Sequence, residues 1–487
     1  MEYLITAWEF LKEWYWIPLG LAYLGVIISI LLENRNSNKA ISYILVLLFL
    51  PVVGLLVFYF FGRDFRKREK LLKKEHKDFQ MLEDYWKSHE NPQNDSFSEL
   101  SKKFGSLSMA ARMLYNQHES FLMGGNEVQI LKNGEDKFPT VFAELEKAIH
   151  HIHLEYYIFT CDDVGNRVAE ILINKARQGV EVRVVLDGAG SGKLGNIPKR
   201  FKEAGIQFYE FLPVRFSSLA AANYRNHRKS IIIDGRVGFI GGLNMDDRYW
   251  NNGKHDLYWR DTHLMIQGPA VNMLQLRFNL DWTFVSKKSF AVKPPYFAVA
   301  PPRSSDAQIT IASSGPSSDR PFAMDCLVSL ILNAKKFIKI TNPYFIPNEE
   351  IKTALIIAAT SGIRVELLVP KKSDSFIVQH ASFSYLKPLL ENKVIVHRYT
   401  KGFVHAKTLV IDESVAVVGT VNMDIRSFYI NFEAMAIVYH EPTANDLSAH
   451  FESDKKECEI LTLEHINNRS FSKKILDSLC RLITPLL

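Results

Sequence analysis

Two stretches of this 487-residue chain carry the same residues at the same intervals. His227, Lys229 and Asp234 recur as His405, Lys407 and Asp412: a histidine, one residue, a lysine, four residues, an aspartate. Each copy then reaches a small-residue turn and an asparagine, Gly241-Gly242-Leu243-Asn244 in the first and Gly419-Thr420-Val421-Asn422 in the second. One short motif carries a real risk of chance occurrence, whereas two with matched tails do not. An imidazole beside an ammonium, with amides and hydroxyls from a turn close by, suits a phosphate, because lysine supplies charge and asparagine supplies donors.

Each copy is half a site. Brought face to face, they set His227, His405, Lys229, Lys407, Asn244 and Asn422 around one phosphate, with the asparagines as phosphate-binding groups. Such a pair of histidines can exchange phosphodiesters. One, held neutral, attacks phosphorus to form a phosphohistidine, while the other, protonated, gives its proton to the leaving alkoxide; the roles then reverse for an incoming alcohol or water. The lysines and asparagines carry the transition-state charge, so neither metal nor cofactor is expected. Identical side chains in opposite roles need different environments, and carboxylates can supply them. Asp261 and Glu433 follow the first and second motifs at comparable intervals. Asp234 and Asp412 complete the catalytic motifs, although their places at the ends of apolar strands suit a turn or a salt bridge better than direct chemistry.

These residues resemble the phospholipase D superfamily, and the flanking text is similar to its bacterial cardiolipin synthase branch. The resembling stretches are Asn226–Asp234, Trp259–Asp261 with Gly268–Val271, Ser314–Pro316, His405–Asp412, and Asn422–Ser427 through Glu433. The resemblance implies condensation of two phosphatidylglycerols to cardiolipin plus glycerol. It further implies that His227 is the nucleophile and His405 the general acid, each oriented by the acid of the opposite half: His227 by Glu433 and His405 by Asp261. A phospholipase D hydrolase, or a transphosphatidylase with another head group, would use the same residues. The expected partners are phosphatidylglycerol, other anionic phospholipids and the membrane.

The elements that must position the site are legible around it. The isoleucine run before Asp234 reads as a buried strand, whose two-residue period puts His227 and Lys229 on one face. Upstream, a strand ending at Phe159, a helix reaching Gly179 and a strand from Val180 to Leu186 are predicted. The second half repeats this, with a strand from Phe337 to Thr341, a helix ending near Gly362 and a strand from Ile363 to Val369. Equivalent positions lie 186 residues apart at Ala148 and Ala334 and 178 apart at the two histidines, as a duplication requires. The expected fold is α/β, with two phospholipase D-like repeats of mixed sheets packed about a pseudo-twofold axis and the site in the cleft between them. The Pro-rich text around 293–305 reads as the joint, and Asn91–Ser96 as a loop.

Two apolar stretches precede the repeats, Trp14–Leu32 and Ala40–Phe61, each near the ~20 residues that a spanning helix needs. No basic leader precedes the first, which argues against a signal peptide. Arg63, Arg66, Lys67, Arg68, Lys70, Lys73 and Lys74 follow the second, so the positive-inside rule puts the repeats in the cytoplasm of a multi-pass bacterial inner-membrane protein. The expected organisation is a transmembrane hairpin (1–62), a basic juxtamembrane linker (63–108), and repeats over 109–300 and 301–487.

A net charge of +6 fits an anionic surface without distinguishing lipid from nucleic acid. The spans and the lack of base-stacking modules weigh against nucleic acid. Four scattered cysteines fit a reducing compartment. His150, His151 and His153 are the other dense histidine cluster, and strand alternation should divide them between two faces. Phe211–Phe216 and Phe376–Val378 are apolar segments suited to acyl chains or to the core.

Overall fold

The computed structural model describes residues 16–32, 37–50, 77–84, 93–214, 223–297, 305–318 and 320–484, together with 14, 52, 54 and 55. Two compact units result, one holding residues 1–65 with 214–223, the other 66–213 with 224–485.

In the small unit, helices Trp16–Leu32 and Ser37–Phe49 pack together over Ile30, Tyr43 and Leu47. Leu21, Leu24, Ile28, Leu45 and Leu48 point outward. Among the described residues no helix is long and apolar enough to cross a membrane. The end of the second predicted span, residues 56–61, and the basic run 63–74 lie outside the described residues.

In the large unit the duplication is written in strand order. The first repeat contributes β1 (Met123–Lys132), β2 (His151–Tyr156), β3 (Glu181–Asp187), β4 (Gln207–Phe211), β5 (Ser230–Ile233), β6 (Val237–Gly241), β7 (Trp259–Arg260) and β8 (Thr262–Gln267). The second contributes β9 (Ala307–Ser314), β10 (Phe337–Thr341), β11 (Arg364–Pro370), β12 (Ile395–Tyr399), β13 (Phe403–Val404), β14 (Thr408–Ile411), β15 (Val415–Gly419), β16 (Glu433–Tyr439) and β17 (Cys458–Leu461). The spatial order β1-β8-β6-β5-β2-β3-β4 in the first is matched by β9-β16-β15-β14-β10-β11-β12 in the second, with β17 added at the edge. Both are mixed: β2-β3-β4 and β10-β11-β12 are parallel, and the rest antiparallel. The central parallel strands β2, β3, β10 and β11 are buried because helices cover them, whereas the edge strand β4 is largely exposed; Asp163–Arg177, capped by the Asp162 carboxylate on the Gly165 N–H, is one such helix.

The sequence suggests two separate sheets. The structure joins them, because β1 pairs antiparallel with β9 and makes one fifteen-stranded sheet. That sheet also brings β15 against β6 and β8, so the repeats meet on faces as well as edges. Each repeat keeps its own apolar core, Leu131 to Phe239 in one and Ala312 to Leu461 in the other. The predicted loop Asn91–Ser96 is corrected: a helix begins at Gln93, since Asn, Asp and Ser open helices as readily as they make turns. That helix and Met109–Asn116 place Phe97, Leu100, Ala110 and Leu114 in the core of the second repeat, although in sequence they come before every strand of the first.

Alternation puts His151 and His153 on one buried face, where they share Gln275 Oε1 at 3.2 Å, and leaves His150 exposed before the strand begins, although its Nδ1 still reaches His151 Nδ1 at 2.9 Å. Arg183 lies 3.1 Å from His153 Nε2, so these imidazoles form a polar seam under the helix Val271–Ser286.

Candidate active site

The motif histidines do not sit within strands. β5 begins at Ser230 and β14 at Thr408, so the expected strands running from histidine to aspartate are shorter than predicted. Upstream, each main chain crosses to the other repeat. Asn226 pairs with Phe432, and the His227 N–H donates to the Phe432 carbonyl at 2.9 Å. Val404 pairs with Arg260, and the His405 N–H donates to the Arg260 carbonyl at 2.7 Å. Each crossing stops one residue short of an acid on the other side.

The side chains complete the exchange. His227 Nδ1 lies 2.9 Å and 3.0 Å from the Glu433 oxygens, and His405 Nδ1 lies 2.7 Å from Asp261 Oδ2. Both acids are fully buried, as is Lys229; His227, His405 and Lys407 are nearly so. Lys229 Nζ donates to the His227 carbonyl at 2.6 Å, and Lys407 makes the same contact with the His405 carbonyl. The lysines therefore sit on their own histidines' backbone and brace the two crossings.

The acids are held differently. Glu433 also accepts from the Thr420 hydroxyl and from Asn431 Nδ2 at 3.4 Å, whereas Asp261 accepts the Thr262 N–H at 2.7 Å. The turn residue equivalent to Thr420 is Gly242, where a Cβ would stand 2.1 Å from Asp261 Oδ1; only glycine lets that carboxylate approach. Aromatic walls recur. The Tyr157 ring meets the His227 ring edge-on at 4.8 Å, and Tyr344, from the segment after β10, meets His405 at 6.3 Å, with Trp259 and Tyr249 at 5.6 and 5.7 Å.

Electrostatics follow from this burial. Burial lowers the His227 pKa to about 4 against the pull of Glu433, and burial with Lys407 lowers His405 to about 3. Burial likewise brings Lys229 to about 7 and Lys407 to about 8. Burial opposes the charge on Asp261 and Glu433, but the histidines and lysines outweigh it and hold both carboxyls below their usual range. At neutral pH the carboxylates are therefore ionised and the imidazoles neutral. Each imidazole then donates Nδ1–H to its acid and keeps a lone pair on Nε2, the tautomer a nucleophile or base requires.

One measurable consequence concerns the lysines. An anion entering the site favours their charged forms, so binding takes up protons and weakens as pH rises through 7 to 8, the range of their pKa values. Titration calorimetry of sulfate at pH 8, in buffers of differing ionisation enthalpy, should show uptake of about one proton. No dependence on buffer would rule out titration of these amines.

The structure does not bring every predicted residue to the histidines. Asp234 and Asp412 are corrections to the predicted catalytic set. Each stands at the far end of its strand, at φ 54°, with its carboxylate on three backbone N–H groups: Ile149, His150 and His151 for Asp234, and Lys335, Lys336 and Phe337 for Asp412. They tie a hairpin to the start of β2 or β10. Asn244 is also committed, giving its amide to the Tyr249 hydroxyl at 2.7 Å and accepting the Ile158 N–H at 3.2 Å. Asn422 is buried, with Oδ1 meeting no donor among the described residues. Of the apolar segments, Phe216 lies outside the described residues, Phe211 is buried against Phe432, and Phe376 is exposed.

Sequence reasoning missed Tyr157, Tyr344 and Thr420. The tyrosines do not hold the same place in the two repeats, since the 186-residue offset sets Tyr157 against Pro343, so the duplication gave no signal for them. It also missed the polar group beneath His227, where Arg228 pairs with Asp281, and Asn226 donates to Glu155. Ala406 stands where Arg228 would recur, so the two half-sites differ below the histidines.

The family of cardiolipin synthase, PLD-like domains matches residues 141–282 and 327–455, and the phospholipase D-nuclease N-terminal family matches 21–63. A cardiolipin synthase of Halalkalibacterium halodurans is 38% identical over 474 residues, covering 97% of this chain and 93% of that protein. Cardiolipin synthase 1 of Bacillus anthracis is 37% identical over 484 residues, covering 95% and 92%. The crystal structure of phosphatidylserine synthase from Haemophilus influenzae superposes with a TM-score of 0.60 at 13% identity, covering 78% of this chain and all of that one, which shows a shared fold.

Proposed function

This chain belongs to the cardiolipin synthase family of phospholipase D-like phosphatidyltransferases, and from that premise we propose that it joins two phosphatidylglycerols into cardiolipin and glycerol through a phosphatidyl-histidine. The observation that carries the mechanism is the crossed pairing of each histidine with the acid of the other repeat. His227 Nε2 attacks phosphorus as His405 protonates the departing glycerol oxygen; His405 then deprotonates the hydroxyl of a second phosphatidylglycerol, whose oxygen attacks the same phosphorus and releases His227.

The unequal acids support these roles. Donors from Thr420 and Asn431 spread the charge of Glu433 and leave His227 less inclined to hold a proton, as a nucleophile should be. Asp261 has no such side-chain donors among the described residues and keeps more charge for a His405 imidazolium. His405 is nonetheless the less basic of the two, through its burial and then the charge of Lys407. The substrate phosphate neutralises that lysine and raises His405 towards the pKa an acid needs.

Asp261→Asn tests this pairing. The amide preserves size while removing the charge that fixes the tautomer, and turnover should fall by roughly 10^2 to 10^4, with the pH profile displaced. Wild-type turnover and profile would reject the pairing. A hydrolase would use the same residues, so product analysis separates them. Labelled phosphatidylglycerol in liposomes should yield cardiolipin and glycerol. Phosphatidic acid as the main product would make the chain a hydrolase.

The proposal includes a membrane hairpin over 1–62, a basic segment over 63–108 and repeats over 109–300 and 301–487, with the repeats on the cytoplasmic side. The outward leucines of the helix pair Trp16–Leu32 and Ser37–Phe49 support it, since a water-facing hairpin would not expose them.

A further inference from the structure

The last helix, Phe471–Ile483, presents two unlike faces. Its inner face packs on the helix Phe376–Glu391 through Cys480 and Leu476 against Ala381 and Ile377. Its one carboxylate, Asp477, is buried there and takes hydrogen bonds from Arg469 at 2.7 and 2.9 Å, with His380 at 2.8 Å. The outer face carries Phe471, Ile475, Leu479 and Leu482, exposed by 78, 44, 56 and 68%. Steps of four, four and three residues gather them within about a quarter turn, pointing away from the fold. Lys473, Lys474 and Arg481 are exposed on the same helix, and no exposed acid offsets them.

We propose that this helix is an interfacial anchor that lies along an anionic phospholipid leaflet, its apolar stripe towards the acyl chains and its cations among the phosphates. Four large apolar side chains in one exposed stripe exceed what a water-facing helix carries, and a basic flank is what the headgroup layer selects. A second copy of the chain fits less well, since a twofold contact through this face would set like charges together. An anionic leaflet attracts the same charges.

The helix is also placed to serve the site. It runs in the same direction as Phe376–Glu391, because His380 meets Asp477 and Tyr385 meets Thr484. Phe471 therefore lies at the end where Phe376 is exposed. Just before Phe376, Asp374 accepts the Tyr344 hydroxyl at 2.7 Å, and the Tyr344 ring is the wall beside His405. The anchor would lay the rim of the His405 half-site on the lipid. The choice of anionic lipid rests on the phosphatidyltransferase reading above.

The test uses the full chain in vesicles. A fluorophore on Leu482→Cys, in a Cys161→Ser background, is challenged with spin-labelled phosphatidylglycerol. Quenching that requires anionic vesicles is expected; none would overturn the proposal while leaving the function untouched, since turnover is read separately. Ile475→Glu combined with Leu479→Glu alters only outward positions. It should raise KM for phosphatidylglycerol diluted in phosphatidylcholine vesicles by roughly tenfold, with kcat and turnover of monomeric dihexanoyl phosphatidylglycerol unchanged. An unchanged KM, or a shift from dimer to monomer in detergent without lipid quenching, would overturn the anchor, and the latter would assign the face to a second copy. Quenching without turnover in the parent protein would instead sink the functional reading.

Discussion

Cardiolipin formation is expected to fall by roughly 10^4-fold or more in His227→Ala, the scale of loss when a covalent nucleophile is removed. The fold should survive, because the segment is fixed by backbone contacts: His227 N–H on the Phe432 carbonyl, and Lys229 on the carbonyl of residue 227 itself. Loss of the ring leaves Glu433 buried with Thr420 and Asn431 still donating to it, which limits the cost of an unpaired carboxylate. The diagnostic is labelling with phosphatidylglycerol carrying labelled phosphorus, quenched in detergent at alkaline pH, where a phosphohistidine survives. Wild-type protein should retain label at His227, and His227→Ala should retain none. Label on His405 in that variant would reverse the two roles.

His405→Ala should be nearly as damaging for natural substrate but not for every substrate. A general acid matters in proportion to how poor the leaving group is. Glycerol leaves as a strongly basic alkoxide and needs a proton from His405, whereas a nitrophenolate does not. With phosphatidyl-nitrophenol the variant should release nitrophenol in a burst close to wild type, then stall, because His405 must also activate the incoming alcohol. His227→Ala should show no burst with either substrate. Equal losses for both leaving groups in His405→Ala would remove it from the acid role and leave it a binding group. Here too Asp261 keeps the Thr262 N–H as a partner.

The chemistry was more legible than the geometry. The doubled motif, the repeat offsets and the strands β2, β3, β10 and β11 could be read from the chain because they depend on local periodicity. What could not be read depends on pairing between distant segments. The β1–β9 joint rests on strands 184 residues apart at Met123 and Ala307, with nothing in either to announce the other. Asp234 and Asp412 show the converse: motif membership groups them with the histidines, while their positive φ and three backbone donors tie them to a turn. The strand-end argument from their apolar neighbours was the better guide. Asn244 looked like a phosphate donor because an exposed asparagine would be one; burial against Tyr249 uses the amide elsewhere. Thr420 and Gly242 occupy one place in the two turns, and that they touch unlike acids is visible only when the chain is folded.

The crossed pairs also bear on when the protein becomes reactive. Made from its amino terminus, the chain has its first repeat, His227 included, long before the ribosome reaches Glu433, and until then nothing fixes which ring nitrogen carries the proton. His405 waits the other way, its acid Asp261 already made and held inside the neighbouring repeat. A nascent or truncated chain ending before residue 433 therefore holds one unoriented histidine rather than half an enzyme. Orientation of both histidines therefore waits until the two repeats have closed on each other.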